Sequence, residues 1–300
     1  MWIVLAFVSA FFLGCYDISK KTSVNGNAVI PVLFLNTLFC TLFLSPLFIF
    51  SRIFPELFAE KSIFFVPAID FSTHLFIILK SFIVLSSWIF GYYAVRQLPL
   101  TITGPINATR PVMTLVGALL IFGERLNLYQ WIGVILTIVS FALLSLSGKK
   151  EGIRFTKDKW IFCMVMAALL GAISGLYDKY LMQRFDSTSV QFWYNFYQCI
   201  LMGIILLTVW YPQRKKNTPF SWRWNILLVS LFLTIADFVY FYALTDSDAM
   251  ISVVSMVRRS SVIVSFAGGI LFFKEKNLKG KIIDLVLIIV AMIFLYLGTK

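Results

Sequence analysis

Charge is scarce in this sequence, histidine is nearly absent, and the common catalytic signatures are missing. Only 13% of the 300 residues are charged, against about 25% in a typical soluble domain. A water-soluble globule of this length has too little interior to hide a chain that is 60% apolar. His74 is the single histidine, and Cys15, Cys40, Cys163 and Cys199 form no CxxC pair. A metal centre and a disulfide framework are therefore not expected, and His74, at the start of an apolar run, reads as an interfacial residue. No HExxH, G-x-S-x-G, P-loop or GxGxxG occurs. Neither an enzyme nor a bound cofactor is expected, and ATP hydrolysis has no motif to support it. The net charge of +12 would point to nucleic acid in a soluble protein. Here the excess sits in short loops beside apolar runs, where it sets topology and meets anionic lipid headgroups; no nucleic-acid partner is expected.

Long apolar runs fill the rest. A membrane span needs about 20 apolar residues. The runs predict an all-α integral membrane protein with helices at Trp2–Ile18, Ala28–Phe50, Ser72–Val95, Leu100–Phe122, Leu128–Ser147, Lys159–Met182, Ser189–Tyr211, Trp222–Leu244, Ala249–Phe273 and Lys281–Gly298. The first run lacks a basic n-region and an A-x-A-like site, so it reads as a mature span and not as a signal peptide. The longest connections are Ser51–Phe71, expected to hold an interfacial segment, and Gly148–Asp158, a charged linker half-way along.

The sequence repeats itself around that linker. Gly14-Cys15-Tyr16-Asp17 corresponds to Gly175-Leu176-Tyr177-Asp178, and Asn36 and Cys40 correspond to Asn195 and Cys199. Tyr92-Tyr93-Ala94-Val95 corresponds to Phe241-Tyr242-Ala243-Leu244, Phe122-Gly123-Glu124-Arg125 to Phe273-Lys274-Glu275-Lys276, and Leu144-Ser145-Leu146 to Leu295-Tyr296-Leu297. The matches keep their order, which gives a first five-helix repeat (1–147), a linker (148–158) and a second repeat (159–300). Five is odd, so the second repeat enters the membrane inverted, and the two are expected to enclose a central cavity. Loops on the side of the N-terminus carry six basic residues, from Arg52 to Lys300; the opposite loops carry sixteen, from Lys20 to Lys281. By the positive-inside rule both termini lie outside the cytoplasm.

The turns Gly123-Glu124-Arg125-Leu126 and Lys274-Glu275-Lys276 each follow a helix with a glycine, Gly117 or Gly268, seven residues before the glutamate. With the five-plus-five layout, this resembles the drug/metabolite transporter (DMT) superfamily, in its ten-helix branch of paired EamA-type domains, over essentially the whole chain. The resemblance implies a helical basket, alternating access, a bacterial inner-membrane location and a broad substrate menu. It also implies cytoplasmic termini, opposite to the charge count.

Ionised groups inside a span cost about 2.5–3.5 kcal/mol each, so they persist where they face a cavity or a partner. Arg110 belongs to a stripe Thr103, Asn107, Arg110, Thr114, Gly117 on one face of the fourth helix. The ninth has Ser255, Arg258, Ser261, Ser265, Gly268, in which Arg258 corresponds to Asn107 and Ser261 to Arg110; Arg259 is predicted to point elsewhere. Two guanidiniums facing one cavity would favour an anionic substrate; alternatively each pairs with Asp17, Asp178 or Asp237 and only holds the bundle. The basic groups of these two helices are also similar to those of triose-phosphate translocators, which suggests phosphate. Lys80, Ser81, Trp88 and Tyr92 in the third helix parallel Ser230, Asp237 and Phe241 in the eighth. Asp237 is a candidate proton-coupling carboxylate or a partner for Arg258 or Lys80. Lys80 either enters the cavity or snorkels. Asn36 and Asn195 would orient substrate or bond between helices, and Trp88 would stack on a ring or pack. Gly171-x-x-x-Gly175 reads as a helix-packing face.

These residues predict a secondary transporter of a small polar, anionic or zwitterionic metabolite, coupled to proton or solute counter-transport. Arg110, Arg258, Asn107, Asn36, Asn195, Lys80, Trp88 and Tyr92 would contact substrate. The alternatives are a lipid-linked-sugar flippase of the same fold, or a non-transporting receptor or intramembrane enzyme; the sequence leaves oligomeric state open.

Overall fold

The structure, a computed structural model, describes residues 1–24, 26–57, 63–97, 106, 109–146, 159–214, 218–261, 263–264 and 278–298. Among these residues there is no strand. The helices are α1 (Trp2–Val24), α2 (Val29–Ile53), α3 (Phe71–Gln97), α4 (Arg110–Ile121), α5 (Leu128–Leu146), α6 (Lys159–Met182), α7 (Ser187–Ile205), α8 (Asn225–Leu244), α9 (Ile251–Arg258) and α10 (Leu278–Leu297). Among the described residues, six helical stretches are long and apolar enough to cross a membrane, and Arg110–Ile121, Leu128–Ser140 and Val286–Leu297 are shorter apolar helices. In hydrocarbon every backbone donor and acceptor needs an internal partner, and the helix supplies one residue by residue. Phe11, Phe82, Leu120 and Ile293 stand exposed on the outer surface, which is stable against lipid and not against water.

Most helices fall where the apolar runs predict them. The first continues six residues past its predicted end, to Val24, because Thr22 and Ser23 hydroxyls return to the carbonyls of Ile18 and Ser19 and the turn carries on. The seventh runs on through a π turn, Leu206–Trp210, to Gln213; Pro212 lacks the N–H that would close a regular turn there. The segment after α2 contains a 3₁₀ turn, Pro55–Leu57, and extended chain pinned by Val66 N–H to Ser51 Oγ (3.0 Å).

Side chains staple neighbouring helices through backbone carbonyls. Ser9 of α1 donates to Ala236 O of α8 (2.7 Å), and Ser87 of α3 to Ala167 O of α6 (2.8 Å). Gln198 of α7 donates to Ser81 O of α3 (3.0 Å), and Cys40 of α2 to Ser230 O of α8 (3.5 Å). The most extensive packing pairs α1 with α8, α3 with α6, α5 with α10 and α2 with α7. Helices α4 and α9 lie against each other, α4 also against α6 and α9 also against α1.

Candidate functional site

Helices α4 and α9 both meet a tightened turn at their arginines. The fourth helix was predicted at Leu100–Phe122 with prolines, Pro105 and Pro111, expected to kink it, and α4 starts at Arg110, just after a turn at Thr109. Thr109 N–H bonds back three residues to Ile106 O, and its hydroxyl caps the same carbonyl (2.6 Å). Pro111 explains the break, because it cannot donate to the preceding turn. The ninth helix was predicted to be continuous to Phe273. Instead α9 ends at Arg258, and Arg259 and Ser260 bond three residues back, to Met256 O and Val257 O. Helical backbone resumes at Ser261. In the correspondence set by the two glutamates, Thr109 matches Ser260, so the two tightened turns occupy equivalent places. A 3₁₀ turn inside a longer helix is a common hinge. It also advances each side chain by about 120° instead of about 100°. Arg259 lies within electrostatic reach of Arg110, Arg258 and Asp17.

Around these hinges the membrane interior holds a network of charges. Arg258 pairs with Asp237 of α8 through one nitrogen, Nη2 to Oδ1 at 2.9 Å, and its buried Nε has no partner among the described residues. Its guanidinium lies 3.9 Å from the ring centroid of Tyr240. Lys80, 2% exposed, is not at the headgroups; its ammonium is bonded to Asp178 Oδ1 of α6 and sits between the rings of Tyr194 (4.5 Å) and Phe241 (4.6 Å). Tyr240 donates to the other oxygen of Asp178 (3.2 Å). Arg110 makes no ion pair or hydrogen bond with a described residue through its guanidinium. That group lies across Gly171 of α6, where a Cβ would come within 2.6 Å of Cζ. Arg110 is within electrostatic reach of Arg258, Asp178, Tyr240 and Tyr194. The centre thus gathers Lys80, Arg110, Arg258 and Arg259 with Asp17, Asp178 and Asp237.

The other predicted residues divide. Asn36 is buried on α2 and accepts from Cys40 Sγ (3.8 Å); Asn195 on α7 donates to Gln191 O one turn away (2.9 Å). Trp88 packs among apolar side chains, between the clusters around Tyr16 and Leu33. Asn107 and the side chain of Tyr92 lie outside the described residues. His74 is half-buried and shares a hydrogen bond with the Tyr197 hydroxyl (2.8 Å). The sequence pointed to Gln191 and Gln198, with Tyr194 and Tyr197, as residues that would bond substrate or bond between helices, but it did not point to Tyr240. Gln191 and Gln198 each donate to a neighbouring carbonyl and keep a buried Oε1 without a described partner. The spacing Gln191, Tyr194, Asn195, Gln198 places all four on one face of α7, which was the available signal.

A further contact joins distant parts of the chain. Gly123, with φ of +61°, turns the chain after α4 in the left-handed region. Glu124 then accepts from Ile251 N–H (2.7 Å), Ser252 N–H (3.2 Å) and the Ser252 hydroxyl. Met250, the residue before α9, supplies no side-chain cap. The carboxylate of one helix end therefore satisfies the first-turn donors of another. Beside it, buried Lys179 donates to Ala249 O and Asp246 O of the α8–α9 connection.

Comparison with known proteins places this arrangement in context. The model of the EamA-like transporter family matches residues 1–146 and 158–297. A protein of Archaeoglobus fulgidus described as an uncharacterized transporter is 23% identical over 298 residues, covering 98% of each chain. A protein of known crystal structure shares the fold at 12% identity with a TM-score of 0.73, over 99% of this chain and 96% of that one.

Proposed function

Because the chain belongs to the EamA-like transporter family and is a multi-pass membrane protein, we propose that it carries a small polar, anionic or zwitterionic metabolite by alternating access. The carrying observation is the cationic centre: among the described residues Arg110 has no ion-pair partner, and Arg258 is held through one nitrogen. A guanidinium kept in a low-dielectric interior without a carboxylate of its own is costly unless an anion arrives to share it. Arg110 and Arg258 would bind the charged group, with Asn36 and Asn195 lining the approach from α2 and α7. When the substrate anion engages Arg258, Asp237 loses its partner, and the cheapest response in that environment is to take up a proton. Anion binding and protonation of Asp237 would then be linked.

Packing supports two inverted repeats as the machinery. Exchange of each helix with the one five places on turns the α1–α8 pair into α6–α3 and the α4–α6 pair into α9–α1, and it leaves α2–α7, α5–α10 and α4–α9 unchanged. The end-to-end hydrogen bonds agree with alternating spans. Asn127 with Gly298, Thr188 with Ile63 and Glu124 with Ile251 join ends on the side of the termini. Asn27 with Ser221 and Arg223 with Thr22 join ends on the other side. In this reading Glu124 latches the side of the termini closed, and the turns at Thr109 and Arg259–Ser260 let α4 and α9 pivot.

Thermal-shift screening of the detergent-purified protein against pools of small carboxylates, phosphate esters and amino acids tests the reading. Anionic or zwitterionic ligands should raise the melting temperature, and Arg110→Ala and Arg258→Ala should each remove the rise. Retention of every ligand-induced shift in both variants would overturn the proposal.

A further inference from the structure

Tyr240 stands where the two ion pairs meet. Its hydroxyl reaches Asp178, which α6 brings to Lys80 of α3, and its ring lies against the guanidinium of Arg258 from α9. It is 4% exposed and follows Asp237 on α8 by three residues, so both face the same side of that helix. We propose that Tyr240 is a positioning residue for the substrate anion: its ring fixes the plane in which Arg258 presents its free edge. This rests on the anion-transporter reading given above.

The argument is geometric. A guanidinium is a planar fork with donors along its edges and a face that stacks on aromatic rings. With one face on Tyr240 and only Nη2 engaged by Asp237, Nε remains a donor without a described partner. Remove the ring, and the guanidinium is free to rotate until both edge nitrogens meet the Asp237 carboxylate. Such a bidentate pair is the stronger contact, and it would neutralise the arginine internally and close it to substrate. The hydroxyl has a separate task. Asp178 already receives Lys80 on one oxygen, and the phenol engages the other, which holds that carboxylate to Lys80 and Tyr240. Lys80 is likewise held against rings, those of Tyr194 and Phe241, so both paired cations of the centre are oriented by aromatic faces.

Two substitutions separate these roles. Tyr240→Phe keeps the ring and removes the hydroxyl; Tyr240→Leu removes both. Binding is read as the concentration of an anionic probe needed for half of the maximal thermal shift, with the probe taken from those that stabilise the wild type. A desolvated cation–π contact is worth a factor of about ten or more in affinity. Tyr240→Leu should therefore weaken binding by about tenfold, while Tyr240→Phe and Tyr240→Trp stay within about threefold of wild type. Wild-type affinity in the Leu variant would overturn the proposal, and so would equal losses in Phe and Leu, which would assign the effect to the hydroxyl. If the Leu variant does not fold, Tyr240→Met carries the same prediction. A wild type that responds to no anion would sink the transporter reading itself and this inference with it, whereas a responsive wild type with an indifferent Leu variant sinks only the latter.

Discussion

The first stretch matched by the family model and the second carry the same order of helices with different charges at corresponding places. Asp17 corresponds to Asp178, yet Asp178 is bonded to Lys80 while Asp17 makes no ion pair with a described residue and lies within reach of Lys20, Arg259 and Arg258. Lys80 corresponds to Val229, Trp88 to Asp237, Asn107 to Arg258, and Arg110 to Ser261. Among the described residues, the Lys80–Asp178 ion pair thus bridges the two stretches, and the Arg258–Asp237 pair lies wholly within the second. The backbone frame can be near-symmetric while the polar centre is not. For a carrier that distinction has a physical use: a symmetric frame offers two end states of similar energy, and an asymmetric set of charges lets a polar solute bind in one orientation.

The largest expected effect tests the two corresponding aspartates against each other. Asp178→Ala leaves Lys80 buried without its counter-charge, and breaking a buried pair from one side costs about 3–5 kcal/mol. Asp17→Ala removes a carboxylate with no ion-pair partner among the described residues and should cost less than half as much. Melting temperatures of the two purified variants decide it; equal losses would mean that the two positions are equivalent after all. A double variant, Lys80→Met with Asp178→Leu, sharpens the test, because replacing both ions with apolar groups should recover much of the loss.

Next comes the contact by which one stretch caps a helix of the other. Glu124→Ala removes the acceptor for two backbone N–H groups at the start of α9, where Ile251 and Ser252 are fully buried. Loss of a helix cap costs about 0.5–2 kcal/mol. In the latch reading the same change also favours opening toward the side of the termini. A cysteine at Ser255 should then react faster with a water-soluble maleimide in the Glu124→Ala background than in the wild type. An unchanged labelling rate would leave Glu124 as a structural cap alone.

The glycines of α6 give a finer contrast. An added Cβ at Gly175 would make ordinary van der Waals contact with Thr114 at 4.0 Å, while a Cβ at Gly171 would displace the tip of Arg110. Gly171 corresponds to Ala10, and Arg110 to Ser261: where the arginine lies, the facing helix carries no side chain. Gly175→Ala should be neutral in both stability and binding. Gly171→Ala should change the melting temperature little, because a flexible side chain can shift, and yet reduce the anion-induced shift as Arg110→Ala does. Unimpaired binding in Gly171→Ala would show that the present setting of Arg110 is not the one used for substrate.

The extent to which this was readable from sequence follows the physics of each feature. Apolar runs are local, so the helices were legible, apart from ends extended by returning hydroxyls or a π turn. Arg110, Arg258 and Asp237 were conspicuous because charge inside a span is expensive. The break before Arg110 is written in Pro111, but the equivalent turn at Arg259–Ser260 has no proline and left no local sign. Lys80 and Asp178 are 98 positions apart, and no spacing rule joins them. Glu124 was visible as part of a turn motif, but its task was hidden because its acceptance from backbone N–H groups carries no residue signature. Tyr240 looked like one more aromatic residue in a chain with 12 tyrosines and 31 phenylalanines; only the packing of α8 against α6 and the approach of α9 reveal its two contacts.

The smallest effect is expected at the membrane edge, where Asp70 precedes α3 and contrasts with the aspartates of the interior. Its carboxylate accepts from the hydroxyls of Ser72 and Thr73, and these bonds hold its pKa down from 3.8 to about 2. A depressed folded-state pKa means that the stabilisation is complete above the unfolded value of 3.8 and is lost as pH falls toward about 2. Asp70 therefore contributes no pH dependence at neutrality. Asp70→Asn, which keeps a side-chain oxygen at the start of α3, should leave the melting temperature nearly unchanged from pH 8 down to about pH 5, with the wild type losing its small advantage only in stronger acid. A marked difference between the two that varies between pH 5 and pH 8 would contradict this.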